Sequence, residues 1–251
     1  MSVRQVKNVL RCFEFFSTEQ LPATLTQLSL ALSLPMSSTS NLINTLREQG
    51  YLFEVRRRGG FYPTRRMFDL SQRIMDGDPV LKLVHGHMED LRSESGETVL
   101  LAARSGVEII YLDVLESEKG VRYSAHAGER RPIYAISSGK AILAGLPDDE
   151  LKAELKAMDY SKALSSTISD PDELFRTITE SRRRGWFLNA TEFTPEVSGV
   201  GMPLEISGLR MGLSVAGPNY RMEGRYEQIA AALSRTIDAI HAQIGKRGGA
   251  R

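Results

Sequence analysis

The chain has 251 residues, 25% charged and 41% hydrophobic, with 32 Lys/Arg against 31 Asp/Glu and a net charge of +1. That balance is ordinary for a globular chain, the length allows two domains, and no apolar run approaches the roughly 20 residues that span a bilayer. The one cysteine, Cys12, excludes an internal disulfide framework, and the opening Met1-Ser2-Val3-Arg4-Gln5 has no apolar signal region, so a cytoplasmic location is expected.

Apolar residues at 3, 6, 9, 10, 13 and 16 predict a first helix over Val3 to Ser17. Cys12 lies among Val9, Leu10, Phe13 and Phe16 and is expected to be a buried structural thiol. After Leu21-Pro22, the stretch from Thr24 to Leu32, a Ser33-Leu34-Pro35 joint and the stretch from Met36 to Gly50 predict two short helices. In the second of these, Thr39, Leu42, Ile43 and Leu46 recur at helical spacing and should pack inward. Ser37, Ser38, Ser40, Asn41 and Asn44 then form a small, uncharged polar face able to enter a major groove. Arg56, Arg57 and Arg58 precede Gly59-Gly60 and Phe61-Tyr62-Pro63, the pattern of a ribbon tipped with arginine that suits a phosphate backbone. A polar outer face alone fits any solvated helix; helix, joint and basic ribbon in that order predict a winged helix-turn-helix over residues 1–63. Candidate DNA contacts are Thr26, Gln27, Ser37, Ser38, Ser40, Asn41, Asn44, Arg56, Arg57 and Arg58. Charge agrees: residues 1–66 hold nine Lys/Arg and four Glu, a balance of +5, which leaves −4 for the remainder.

Residues 64–77 predict a linker helix, with Thr64 as cap, Met67, Leu70 and Ile74 on one face and Gly77 as its stop. It joins regions of opposite charge and is a candidate dimer contact; packing on its own chain alone is the alternative. Residues 78–251 form the second domain. Asp78-Pro79 opens a helix with Val80, Val84, Met88 and Leu91 in register. The period then changes: 97–104, 107–116 and 121–125 are expected strands, the first two joined at Ser105-Gly106. A helix over Lys140 to Ala144, another over 147–158 and a third begun by Asp170-Pro171-Asp172-Glu173 follow. The third ends in Arg182-Arg183-Arg184-Gly185, where cations complement the helix dipole, so that run is expected to be structural. Strands over 186–191, 197–204 and 209–216 and a closing helix over 223–244 complete an α+β fold with a mainly antiparallel six-stranded sheet.

Ser137-Ser138-Gly139 enters a helix, where free N–H groups and the positive dipole end can receive an anion, with Arg130 and Arg131 just upstream. The same residues also describe a capped helix with surface arginines. His85, His87, His126 and His241 form no metal-ligand or nucleophile cluster, so neither an enzyme nor a cofactor is expected.

The segment from Pro132 to Ala144, the Gly185-Trp186 step followed by Glu192 to Val197, the Leu213-Ser214-Val215-Ala216-Gly217-Pro218 run and the N-terminal segment with its Leu34-Pro35 joint together resemble the IclR-type bacterial transcription regulators over roughly residues 3–244. The resemblance implies a GAF-like effector domain and a dimer, or dimer of dimers, on a palindromic operator, with DNA affinity modulated by a small organic acid. It places effector contacts on Tyr123, Arg131, Ser137, Ser138, Asn189, Gly199, Ser214 and Ala216. Where many relatives have an apolar residue this chain has Arg131, which hints at an acidic or diacidic effector; where serine is common it has Ala216, which hints at an apolar part on the ligand. Serine replaces the usual small or glycine residues at Ser29 and Ser33, and Asn41 replaces an arginine. A ligand-independent architectural DNA binder is the rival reading, and an enzyme built on the sensor module a remoter one.

Overall fold

The computed structural model describes residues 3–56, 59–77, 79–161 and 163–248. They fall into two compact units, 1–79 and 80–251. No helix among the described residues is long and apolar enough to cross a membrane.

In the first unit α1 (Arg4–Glu19), α2 (Leu25–Leu32) and α3 (Met36–Glu48) are followed by strands β1 (Leu52–Arg56) and β2 (Gly60–Pro63) and by α4 (Arg66–Asp76). Cys12, Phe16, Leu28, Leu32, Ile43, Leu46, Leu52 and Phe61 make its core. The predicted stripe of α1 is only half right: Phe16 and Cys12 are buried, but Val3, Val6 and Leu10 are more than half exposed. The buried line runs along the flank that meets α2 and the wing. Thr24 caps α2 in a capping box, its hydroxyl accepting from Gln27 N–H while the Gln27 amide oxygen accepts from Thr24 N–H. Ser33 stands at φ 53° in the joint, a left-handed position that glycine would take at no cost. The Ser29 hydroxyl donates to Leu34 O at 2.6 Å and fastens that joint from within. The wing pairs antiparallel and gains a one-residue bridge to Ala23, with N–H···O bonds of 3.0 and 2.8 Å between Ala23 and Phe61. Gly60, at φ 108°, is required there, since a Cβ would lie 3.0 Å from the Ala23 backbone. Thr64 does not cap α4 as expected. The helix starts one residue later, and the Thr64 hydroxyl donates to Gly50 O at 2.6 Å while accepting from Arg66 N–H. The expected cap Asp78 lies outside the described residues.

The second unit comprises α5 (Pro79–Ser95), β3 (Thr98–Ser105), β4 (Glu108–Leu115), β5 (Arg130–Pro132), a 3₁₀ turn (Ile133–Ala135), α6 (Ser137–Leu143), α7 (Asp148–Ala157), α8 (Pro171–Arg184), β6 (Phe187–Ala190), β7 (Val197–Ile206), β8 (Leu209–Pro218), α9 (Asn219–Met222) and α10 (Tyr226–Gly248). Its six-stranded sheet has the order β5-β4-β3-β8-β7-β6, antiparallel throughout. The strand expected at 121–125 is not one. That segment makes no ladder; Tyr123 O instead accepts from the Thr98 hydroxyl at 2.6 Å, and the edge of β4 pairs with Arg130–Pro132. Helix α6 also begins earlier than expected, at Ser137.

Strand alternation sorts the core into two layers. Val99, Leu101, Leu213, Val215, Val200 and Leu204 face α5 and α10. Leu100, Ala102, Tyr111 and Ala216 face the side that carries α6, α7 and α8. On that second side β7 and β8 present Gly199, Gly201 and Gly212. A Cβ on Gly201 would lie 2.8 Å from the Ser137–Ser138 peptide, and one on Gly212 would overlap Ser138. These glycines let α6 lie directly on the sheet.

Candidate functional site

On α3, Ser37, Ser38 and Asn41 are exposed and Ser40 and Asn44 half-buried, with Thr39, Ile43 and Leu46 on the opposite, buried side. Asn44 Nδ2 donates to Ser40 Oγ over 3.4 Å, a long bond that a stronger partner can replace. Thr26 and Gln27 are exposed in the first turn of α2, but the Gln27 amide oxygen is committed to the cap. Arg56 ends β1; Arg57 and Arg58 lie outside the described residues. The thiol of Cys12 is buried and its pKa pushed up to about 11, so it packs as an apolar side chain.

In the second unit a narrow pocket, with free space of about 20 Å³, opens at the start of α6. Seven residues expected at an effector site line it: Tyr123, Ser137, Ser138, Asn189, Gly199, Ser214 and Ala216. Their chemistry follows from position. Ile136 supplies no side-chain cap to α6, so the first-turn N–H groups at Ser137 and Ser138 depend on the pocket for a partner. Ser214 and Ala216 are successive pocket-facing residues of β8, and Gly199 stands beside Ala216 in the β7 ladder. The Asn189 side-chain oxygen accepts from Glu192 N–H at 2.8 Å, which leaves its NH₂ as the group to offer a ligand.

Arg131 does not line this pocket. It pairs with Glu129, donates from Nη1 to Arg130 O at 3.0 Å, and stacks its guanidinium 5.3 Å from the ring centroid of Phe193. It therefore stands behind the Phe193 wall of the pocket, paired with Glu129 but with its Nε buried and without a hydrogen-bond partner among the described residues. Arg130 is likewise engaged, with Ser105 and Glu108. The basic run at the end of α8 is structural as expected: Arg182 donates to Ala144 O and Leu146 O at the end of α6, and Arg184 stacks 3.6 Å over Trp186.

Tyr111, Phe193 and Thr194 also line the pocket and were not anticipated. The alternation of β4 carried a signal for Tyr111, which shares a face with Ile109. Burial, reinforced by Tyr123, pushes its hydroxyl well above the ordinary range, so it remains a neutral donor and acceptor. Phe193 and Thr194 come from a loop, where no period exists to read. Among the described residues no cluster of His, Cys, Asp and Glu could hold a metal ion.

Residues 72–242 match the family model described as the bacterial transcriptional regulator IclR C-terminal domain, and residues 5–55 match the IclR helix-turn-helix domain. The HTH-type transcriptional regulator KipR of Bacillus subtilis (strain 168) is 30% identical over 230 residues, covering 90% of each chain. KdgR of Escherichia coli (strain K12) is 24% identical over 245 residues, 96% of this chain and 93% of its own. The crystal structure of the Thermotoga maritima IclR superposes with a TM-score of 0.79 at 23% identity, covering 96% of this chain and 98% of that one. An IclR homologue of Microbacterium hydrocarbonoxydans, crystallised with 4-hydroxybenzoate, gives 0.70 at 23% identity, covering 94% and 97%. With both of its domains matched in order, the chain belongs to the IclR family of transcription regulators, proteins that bind DNA through a helix-turn-helix and carry an effector domain.

Proposed function

We propose that the chain binds a palindromic operator as a dimer or dimer of dimers, and that a small organic acid in the pocket at Ser137-Ser138 changes its DNA affinity. The observation that carries this reading is the convergence of uncapped N–H groups, the Asn189 and Ser214 side chains and two tyrosines on one enclosed space. A carboxylate there meets N–H donors at the positive end of a helix. Leu100, Phe193 and Ala216 supply apolar walls for the remainder of the ligand. The pocket's free space of about 20 Å³ admits little more than a water molecule, so a monocyclic acid enters only as the walls move apart. The 4-hydroxybenzoate held by the Microbacterium relative is a ligand of that kind. Arg131, paired with Glu129, supports a monoacid over the diacid hinted at by the sequence.

On the DNA side, the polar face of α3 reads base edges, and the exposed apolar faces of α1 and α4 are the surfaces that a second copy would cover. Such an effector acts only by binding the DNA-competent and DNA-released states unequally. The test is selection of bound duplexes from a random pool, then release of the selected DNA by a panel of small carboxylates. Recovery of an inverted repeat and its release by an acid that also raises Tm is the expected result. Binding that no acid alters would return the ligand-independent DNA binder.

A further inference from the structure

The loop between β6 and β7 carries Phe193 and Thr194 into the pocket, and it is not a relaxed loop. Thr191 and Glu196 stand at φ 59° and 61°, left-handed positions that side chains other than glycine rarely take. Something must hold it. From outside, the Thr167 and Ser166 hydroxyls donate to Glu192 O and Thr191 O. From within, the hold is a charge pair. Lys140, on α6, is only 1% exposed, and its ammonium donates to Glu192 Oε1 at 2.5 Å and to Leu188 O at 3.0 Å. The second carboxylate oxygen of Glu192 is buried with no hydrogen-bond partner among the described residues.

A pair so placed is an expensive way to stabilise a core, since two apolar side chains of similar volume serve as well or better. What it does that they cannot is fix direction. Lys140 is one turn along the helix whose first turn opens the pocket. Glu192 fixes Asn189 through its own N–H and immediately precedes the wall residue Phe193. One ion pair thus ties the anion-facing helix, the amide of Asn189 and the aromatic wall into one arrangement.

We propose that Lys140 and Glu192 are the positioning residues of the pocket, setting ligand affinity by holding Asn189, Phe193 and Thr194 in register with α6. This rests on the pocket being the effector site. The full-length double variant Lys140→Met/Glu192→Leu removes both charges together, so neither is stranded. Glu192→Asp keeps the charge but shortens its reach by one methylene, and serves should the double variant not fold. Two readouts apply. Amide exchange between residues 190 and 196 is compared with that of β3 and β8, and the affinity for benzoate and 4-hydroxybenzoate is followed by the emission of Trp186, the only tryptophan. The positioning role predicts exchange about tenfold faster in the loop alone and affinity about tenfold weaker in either folded variant. Loop protection and affinity both equal to wild type would overturn it and leave the pair a mere filler. Should the wild-type chain bind neither acid, it is the effector reading that suffers, and the exchange comparison alone decides: faster loop exchange supports the pair, unchanged exchange overturns it.

Discussion

Glu97 is fully buried and charged, and its surroundings explain how. Arg221 meets both of its oxygens at 2.7 Å and Lys119 reaches one at 3.2 Å. Burial raises its pKa, but the bonds from Arg221 and Lys119 outweigh burial and bring it below the ordinary value of 4.5. A carboxylate lowered in the folded state contributes stability that is complete above about pH 4.5 and is lost as pH falls through the lower folded value. The Glu97→Gln variant should therefore lose about 3 kcal/mol at neutral pH, the low end for a broken buried pair because Arg221 and Lys119 reach solvent. Its Tm should fall less steeply than wild type below pH 4.5; parallel acid profiles would remove Glu97 from the acid response. On α3, Asn44→Ala should relax preference at one base pair by about 1–3 kcal/mol. Equal weakening on every sequence would make Asn44 a phosphate contact. Neither role reads equally well from sequence. The Asn44 face follows from helical spacing, whereas Glu97 meets Arg221 across 124 positions, a pairing that no local pattern carries.

Helix α6 shows how far local pattern reaches and where it stops. Ser137-Ser138-Gly139 read correctly as an approach to a helix, but the two serines belong to its first turn because Ile136, in extended conformation, ends the approach. The bed on which α6 lies was not legible: Gly201 and Gly212 look like weak strand residues until the alternation of β7 and β8 is known to turn both toward the helix. The misread strand at 121–125 has a similar cause, since Tyr123 and Ala125 are buried against the sheet side chains without any partner edge, while Val121 is exposed. Gly199 offers a test of the element as pocket floor. A Cβ there would stand 3.1 Å from Ser137 Oγ and 3.5 Å from Ala216 Cβ, so the hydroxyl must yield by a few tenths of an ångström. Gly199→Ala should then shift Tm by only a few degrees, about 1 kcal/mol or less, while weakening a bound acid about tenfold or more. Undiminished acid affinity would move the ligand elsewhere on the sheet.

The division of labour between the two units was the most legible property of the chain, because it is written in charge. A front of +5 and a remainder of −4 separate what grips a polyanion from what does not, and the winged motif ends close to that change of charge. What covers the apolar face of α4 is less legible, because an amphipathic helix does not say which body packs on it. In the structure α4 has no buried residue, and Phe68, Ile74 and Met75 are each more than half exposed. Val3, Val6 and Leu10 on α1 of the same unit are exposed to a similar degree. Apolar stripes of this extent on a DNA-binding unit are what an interface between copies requires. If α4 is that contact, Ile74→Glu places a charge in each half of a symmetric interface and repels itself across the two-fold axis. The variant should sediment as a monomer at concentrations where wild type is a dimer, with its folded state intact because Ile74 supports no core. Its operator affinity should drop by about a hundredfold, since each half-site must then be bound without the gain from linkage. A variant that remains dimeric and binds DNA as before would assign the apolar face of α4 to packing on its own chain.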